Sequence, residues 1–155
     1  SDAVLATLKT LGELSPAALP LAAPLMVEAA NAAGQVAQVQ ALLQAHYQRA
    51  PSLDVLESLV AIESTDEATS ATARQRYVQH LDKEASLVAA SKWLATEKLE
   101  HEEFHPQIQR ALDQAVKPLT RYRCAACGFE ARQHFWQCPG CQTWDSYPTR
   151  RVEEL

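Results

Sequence analysis

From Ala3 to about Val116 apolar side chains return every three or four residues, the repeat that lays them along one face of an α-helix. Val36, Val39, Leu42, Leu43 and Tyr47 form one such stripe, and Phe104, Ile108, Leu112, Ala115 and Leu119 form another. The pattern predicts helices near 3–12, 20–33, 35–49, 53–63, 66–83, 85–99 and 104–117. Punctuation agrees with these bounds. Ser15-Pro16 and His105-Pro106 put proline where a first helical turn accepts it, and Ser64-Thr65-Asp66-Glu67 fits a capping box. Pro24 is expected to kink or delay the second helix, because it removes one backbone donor.

Short connections between successive helices imply antiparallel neighbours. Gly34 separates two helices of similar length, and Pro51 follows Pro16 at a spacing close to the roughly 34-residue period of tetratricopeptide repeats. The large aromatics of that repeat are mostly absent, so the expectation is an all-α, tetratricopeptide-like array of helical hairpins, with a plain helical bundle as the alternative. An array of this kind buries the seams between hairpins and leaves a concave face free. It is suited to binding rather than to chemistry.

Near Pro118 the chain changes character. Residues 1–116 carry 8 Lys and Arg against 15 Asp and Glu, a net of −7, whereas residues 117–155 carry 6 against 4, a net of +2. Six of the ten aromatics, Tyr122, Phe129, Phe135, Trp136, Trp144 and Tyr147, lie in this last quarter. The expected domains are therefore 1–117, helical, and 118–155, a separate small module. No apolar run reaches the ~18 residues that cross a bilayer, and the uncharged run from Leu14 to Val27, apart from being short, is broken by Pro16, Pro20 and Pro24. The chain starts at Ser1 rather than at Met, and reads as a piece of something longer.

All four cysteines fall in the small module as two C-x-x-C pairs, Cys124/Cys127 and Cys138/Cys141, with ten residues between the pairs. Two such turns can set four thiolates at the corners of a tetrahedron about 2.3 Å from an ion, the closed structural site favoured by zinc and open also to a single iron. Amide groups after the first cysteine of each pair can point back at its sulfur, and Gly128 is free to take the positive φ that turns the chain away. Disulfides would suit an exported chain, and a thioredoxin-type centre needs one pair between a strand and a helix; neither matches two pairs among aromatics. So short a module needs a staple, which makes metal binding and folding one event. Phe129, Phe135, Trp136 and Trp144 are expected to form its core.

The string Arg121-Tyr122-Arg123-Cys124-x-x-Cys127-Gly128-Phe129, followed by Phe135-Trp136-x-Cys138-Pro139-x-Cys141 and Trp144, resembles the C-terminal rubredoxin-type module of the lipopolysaccharide assembly protein B family. In that family too, tetratricopeptide helices run directly into the module. The resemblance implies a metal held by Cys124, Cys127, Cys138 and Cys141, zinc with iron as the alternative. It also implies a parent protein anchored by an N-terminal helix on the cytoplasmic face of the inner membrane. There it would be a non-enzymatic adaptor that restrains lipopolysaccharide synthesis, its partners being the membrane protease FtsH and the deacetylase that commits lipid A synthesis.

Three rival readings remain. A tetrathiolate iron would make the module an electron carrier like the rubredoxins. Arg121, Arg123, Arg132, Arg150 and Arg151 could make it a nucleic-acid-binding zinc ribbon, although Glu130, Asp145, Glu153 and Glu154 dilute that charge and no nucleic-acid partner is expected. His101-Glu102-Glu103-Phe104-His105 satisfies the H-E-x-x-H pattern of zinc proteases. Pro106 disfavours helix at His105, however, and the motif is expected to straddle a helix boundary.

Overall fold

The structure, a computed structural model, describes residues 2–64, 67–97 and 102–155, with only the backbone described for 67–70. Among these are seven α-helices: α1 (Asp2–Leu14), α2 (Leu19–Ala33), α3 (Val36–Arg49), α4 (Leu53–Glu63), α5 (Glu67–Lys83), α6 (Leu87–Thr96) and α7 (His105–Val116). A two-stranded antiparallel hairpin follows, β1 (Tyr122–Arg123) and β2 (Glu130–Ala131), with Tyr122 opposite Ala131 and Arg123 opposite Glu130. The expected helical array with a small C-terminal cysteine module is what the chain forms. The helix over 85–99 is shorter than its apolar pattern suggested, because Glu97 has already turned to extended backbone; Thr65, Asp66 and residues 98–101 lie outside the described residues.

The chain divides into two compact units, Ser1–Arg76 and Tyr77–Leu155, the boundary falling within α5. In the first, α2 is the central element and packs against α1, α3 and α4. Its buried face combines Leu19 and Met26 with Ala22, Ala23, Ala29 and Ala30, small residues that let neighbouring helices approach. Val39, Leu43 and Tyr47 of α3, with Leu53, Val55, Leu56 and Leu59 of α4, complete this core, so the first predicted stripe is a buried seam. Pro16 opens a short 3-10 turn and Pro20 stands in the first turn of α2, while the helix runs on through Pro24. Glu63, at the end of α4, is 5% exposed and receives two hydrogen bonds from Arg76 at 2.5 and 2.6 Å and one from Gln40 at 3.0 Å. A buried carboxylate with three donors is satisfied; without them it would be costly.

The second unit contains α6, α7 and the cysteine module. Its helices meet through polar contacts: His105 Nε2 sits 3.1 Å from the carbonyl of Leu94, and Gln109 and Asp113 bond to the buried Ser91. The second predicted stripe is helical but not buried, since Phe104 is 57% and Ile108 46% exposed and no residue of α7 is buried. Serines cap two helices, Ser52 accepting from the Val55 amide and Ser86 from that of Ala89. Ser64 closes α4, donating to the Val60 carbonyl, and the rest of the capping box expected over Ser64–Glu67 falls on side chains outside the described residues. Glu153 adds a second cap to α6, its carboxylate accepting from the amides of Leu87 and Val88 at 2.6 and 3.0 Å and from the Ser86 hydroxyl at 2.7 Å. The backbone beside it is tied down as well, the Val152 and Glu153 amides donating to the carbonyls of Arg121 and Leu119.

Candidate metal centre

Two turns with the same hydrogen bonds carry the four cysteines. In the first, the Gly128 amide donates to the Cys124 carbonyl at 2.9 Å and the Cys124 amide to the Phe129 carbonyl at 2.9 Å; in the second, Gln142 donates to Cys138 at 2.8 Å and Cys138 to Thr143 at 2.9 Å. Each turn leaves through a left-handed residue after its second cysteine, Gly128 at φ 79° and Gln142 at φ 61°. Glycine adopts this region without cost, so Gly128 takes the positive φ expected of it; glutamine pays for the same geometry. The Ala125 amide ties the first turn to the backbone after the second by donating to the Ser146 carbonyl at 2.7 Å, and an isolated bridge between Gln137 and Trp144 closes the second turn at its base.

All four sulfurs lie within 4.8 Å of one another. Cys124 and Cys141 are 3.8 Å apart, and Cys127 and Cys138 are 3.7 Å apart, both pairs joining one turn to the other. A tetrahedron with bonds of about 2.3 Å has edges of about 3.8 Å, so the cluster has the dimensions of a four-sulfur metal site. The cysteines are free, at almost twice the ~2.05 Å of a disulfide. Cys124 and Cys138 are buried while Cys127 and Cys141 reach the surface.

The surroundings shift Cys124, Cys127 and Cys141 in different directions. The Ser146 hydroxyl, 3.1 Å from Cys124 Sγ, together with the amides of Cys127 and Ala126, brings that thiol down to about 6 against the opposing effect of burial. Thr143 lowers Cys141 through its hydroxyl, 3.3 Å from the sulfur, and its amide. For Cys127 the Phe129 amide works downward, but burial and the neighbouring sulfurs prevail and push it up to about 12. Anions this close cannot all form without a cation among them, and a divalent ion removes that conflict. The donor set, its spacing and its electrostatics all fit a thiophilic metal.

The module's interior differs from the expected one. Trp144 is 65%, Trp136 54% and Phe129 44% exposed, and only Phe135 of the four aromatics singled out is half-buried. The core consists instead of Tyr122, Tyr147 and the two inner cysteines, with His134 packed edge-on against Tyr122, Trp136 and Tyr147 at 4.8 to 5.9 Å. Part of this interior is taken up by the buried Cys124 and Cys138. Phe129 lies across the second turn, against Gly140, where a Cβ would come within 3.2 Å of the ring. The hydroxyls of Thr143, Ser146 and Tyr147 around the sulfurs had no signal in the cysteine spacing.

The rival motifs fare less well. His101 lies outside the described residues, Glu102–Phe104 form a 3-10 turn, and His105 opens α7 with its ring on the Leu94 carbonyl. Among the described residues the four cysteines alone form a cluster able to hold a metal. Arg121 and Arg123 both pair with Glu130, at 3.7 and 2.7 Å, so one carboxylate offsets part of the charge of the basic surface.

Residues 122–147 match the family described as the rubredoxin metal binding domain. Over these residues the module is similar to rubredoxin-type metal-binding domains. Curated relatives include lipopolysaccharide assembly protein B of Escherichia coli (strain K12), 35% identical over 49 residues that make up 31% of this chain and 13% of the relative. The protein of the same name from Haemophilus influenzae is 31% identical over 39 residues, 25% of this chain and 10% of the relative. The matches thus span a small part of the length of these relatives. Among the described residues no helix is long and apolar enough to cross a membrane.

Proposed function

We propose that this chain is part of a non-enzymatic adaptor of lipopolysaccharide assembly, in which Cys124, Cys127, Cys138 and Cys141 hold one zinc ion. The observation that carries this reading is the pairing of a four-sulfur cluster of tetrahedral size with a rubredoxin-type match shared with lipopolysaccharide assembly protein B. Bound zinc supplies a cross-link and a charge balance, not a reaction. The chain's own residues do the rest: the two turns present the sulfurs, Tyr122, His134 and Tyr147 pack behind them, and residues 118–155 acquire one fixed shape. On this reading both the helices of residues 1–117 and the metal-stabilised module bind protein partners. By likeness to the relatives, these are the FtsH protease and the lipid A deacetylase, met at the cytoplasmic face of the inner membrane.

Two measurements test this. Metal analysis of the purified chain should give one zinc per chain and a colourless protein; a red protein that bleaches on reduction would move it to the electron carriers, whose tetrathiolate iron has the same ligands. Affinity capture with the membrane-anchored parent should retain the protease and the deacetylase, and Cys138→Ser should lose them. Retention of both partners by a metal-free Cys138→Ser protein would refute the role given to the module.

A further inference from the structure

Two of the four sulfurs have a side-chain hydroxyl within 3.3 Å. Ser146 Oγ lies 3.1 Å from Cys124 Sγ and Thr143 Oγ1 lies 3.3 Å from Cys141 Sγ. These two sulfurs come from different turns and stand 3.8 Å apart. The other pair is served differently. Cys127 has the Phe129 amide, and the hydroxyl nearest Cys138, that of Tyr147, stands at a long 3.9 Å and gives its proton to the Phe129 carbonyl at 3.1 Å.

A hydroxyl hydrogen rotates to its best acceptor. Ser146 has a second choice, the Thr143 carbonyl at 3.3 Å, but that oxygen already accepts from the Cys138 amide, and a thiolate makes the stronger, charge-assisted bond. We propose that Ser146 and Thr143 are positioning residues of the metal centre, donating to the Cys124 and Cys141 sulfurs and so fixing their direction and drawing electron density from them. The proposal rests on the reading that the four cysteines are the ligands. Ser146 carries the larger share. It is buried, and its carbonyl also holds the Ala125 amide of the opposite turn, so one residue fastens a sulfur and the backbone that bears it. Thr143 is exposed and acts within its own turn.

The test uses the full chain loaded with zinc, cobalt(II) or iron. Ser146→Ala should weaken zinc binding about 10- to 100-fold in competition with a chromophoric chelator, the usual loss when a partner behind a ligand is removed. Thr143→Val should weaken it less, and Thr143→Ser, which keeps the hydroxyl, should bind as the parent does. Loss of a hydrogen bond makes a sulfur the better donor, so the sulfur-to-cobalt charge-transfer band should move to lower energy and the iron reduction potential should fall. Residues that merely filled space would leave both unmoved. Thr143 is at the surface, so its variants report even if Ser146→Ala folds poorly. Parental affinity and band energy in Ser146→Ala and Thr143→Val, each holding one metal, would overturn the proposal while leaving the ligand assignment standing. A reduced parent chain that binds no zinc would instead remove the assignment beneath it.

Discussion

The first compact unit and the cysteine module keep their shapes by different means. In residues 1–76 the interior is apolar: Leu43, Leu53, Leu56 and Leu59 are at most 1% exposed, Met26 and Val39 fully buried, and alanines line the seams of α2. In the module the fully buried side chains are two sulfurs, while three large aromatics face solvent. A helical unit of this size gains enough from burying hydrocarbon to fold unaided. The module does not, and its stability has to come from an ion that only the folded arrangement can bind. Apolar burial and metal ligation therefore operate in one chain, and each can be broken separately.

The largest effect is expected from Cys138→Ser, or from stripping the metal with a strong chelator. Zinc ligation contributes on the order of 10 kcal/mol in small domains, more than the module can replace. Residues 120–148 should lose their dispersed amide signals and the near-ultraviolet signature of Trp136 and Trp144. Far-ultraviolet helicity should stay nearly intact, with fraying confined to α6, whose Glu153 cap is held by backbone bonds to Arg121 and Leu119. Unfolding that spread through α1 to α4 would erase the distinction between the two regions.

Next in size comes Arg76→Met in the first unit. It leaves the Glu63 carboxylate buried with Gln40 as its remaining donor among the described residues, and breaking a buried pair from one side costs about 3–5 kcal/mol. Denaturant titration should show this loss with zinc content unchanged. The double variant Glu63→Leu/Arg76→Met should recover most of the stability, because the attraction between the charges is largely offset by their desolvation. Loss of zinc on Arg76→Met would show the two regions to be coupled.

The two regions were also unequally legible. Helices of the first unit follow from periodicity and punctuation because each is long, amphipathic and bounded by Gly or Pro; α4 spans Leu53–Glu63 and α3 Val36–Arg49, within a residue of expectation. The cysteine cluster was legible for a different reason, since ligand spacing is a covalent constraint that little else can imitate. What escaped was everything set by contact across the fold. Hydrophobic periodicity marks α7 as a helix but cannot tell that polar bonds from His105 and Gln109 join it to α6 and leave Phe104 and Ile108 outside. Aromatic composition likewise suggested a ring-filled core, because nothing in a run of residues says that Cys124 and Cys138 take up part of the interior. Ser146, five residues beyond the last cysteine, becomes visible as a sulfur partner only once the turns are folded against each other.

The smallest effect lies inside the module, where its two turns differ at one corresponding position. Gly128 and Gln142 both stand just after the second cysteine of a pair, and both are left-handed. An L side chain in that region costs about 1–2 kcal/mol, whereas glycine gives up about 0.5–1 kcal/mol of extra unfolded-state entropy, so Gln142→Gly should stabilise the metal-bound module by about 0.5–1 kcal/mol. The bond that holds this residue is untouched, as it is the Gln142 carbonyl that accepts from the Gln137 side chain. Gly128→Ala should act in the opposite sense by a similar amount, though open space surrounds its Cβ position, because the strain is in the backbone and not in packing. Thermal unfolding of the zinc-loaded chain, followed through tryptophan emission, reads both changes. Equal responses at 128 and 142 would mean that the left-handed corner carries no strain and that glutamine stands there without cost; opposite signs would show that the second turn holds its sulfurs against a penalty that the metal offsets.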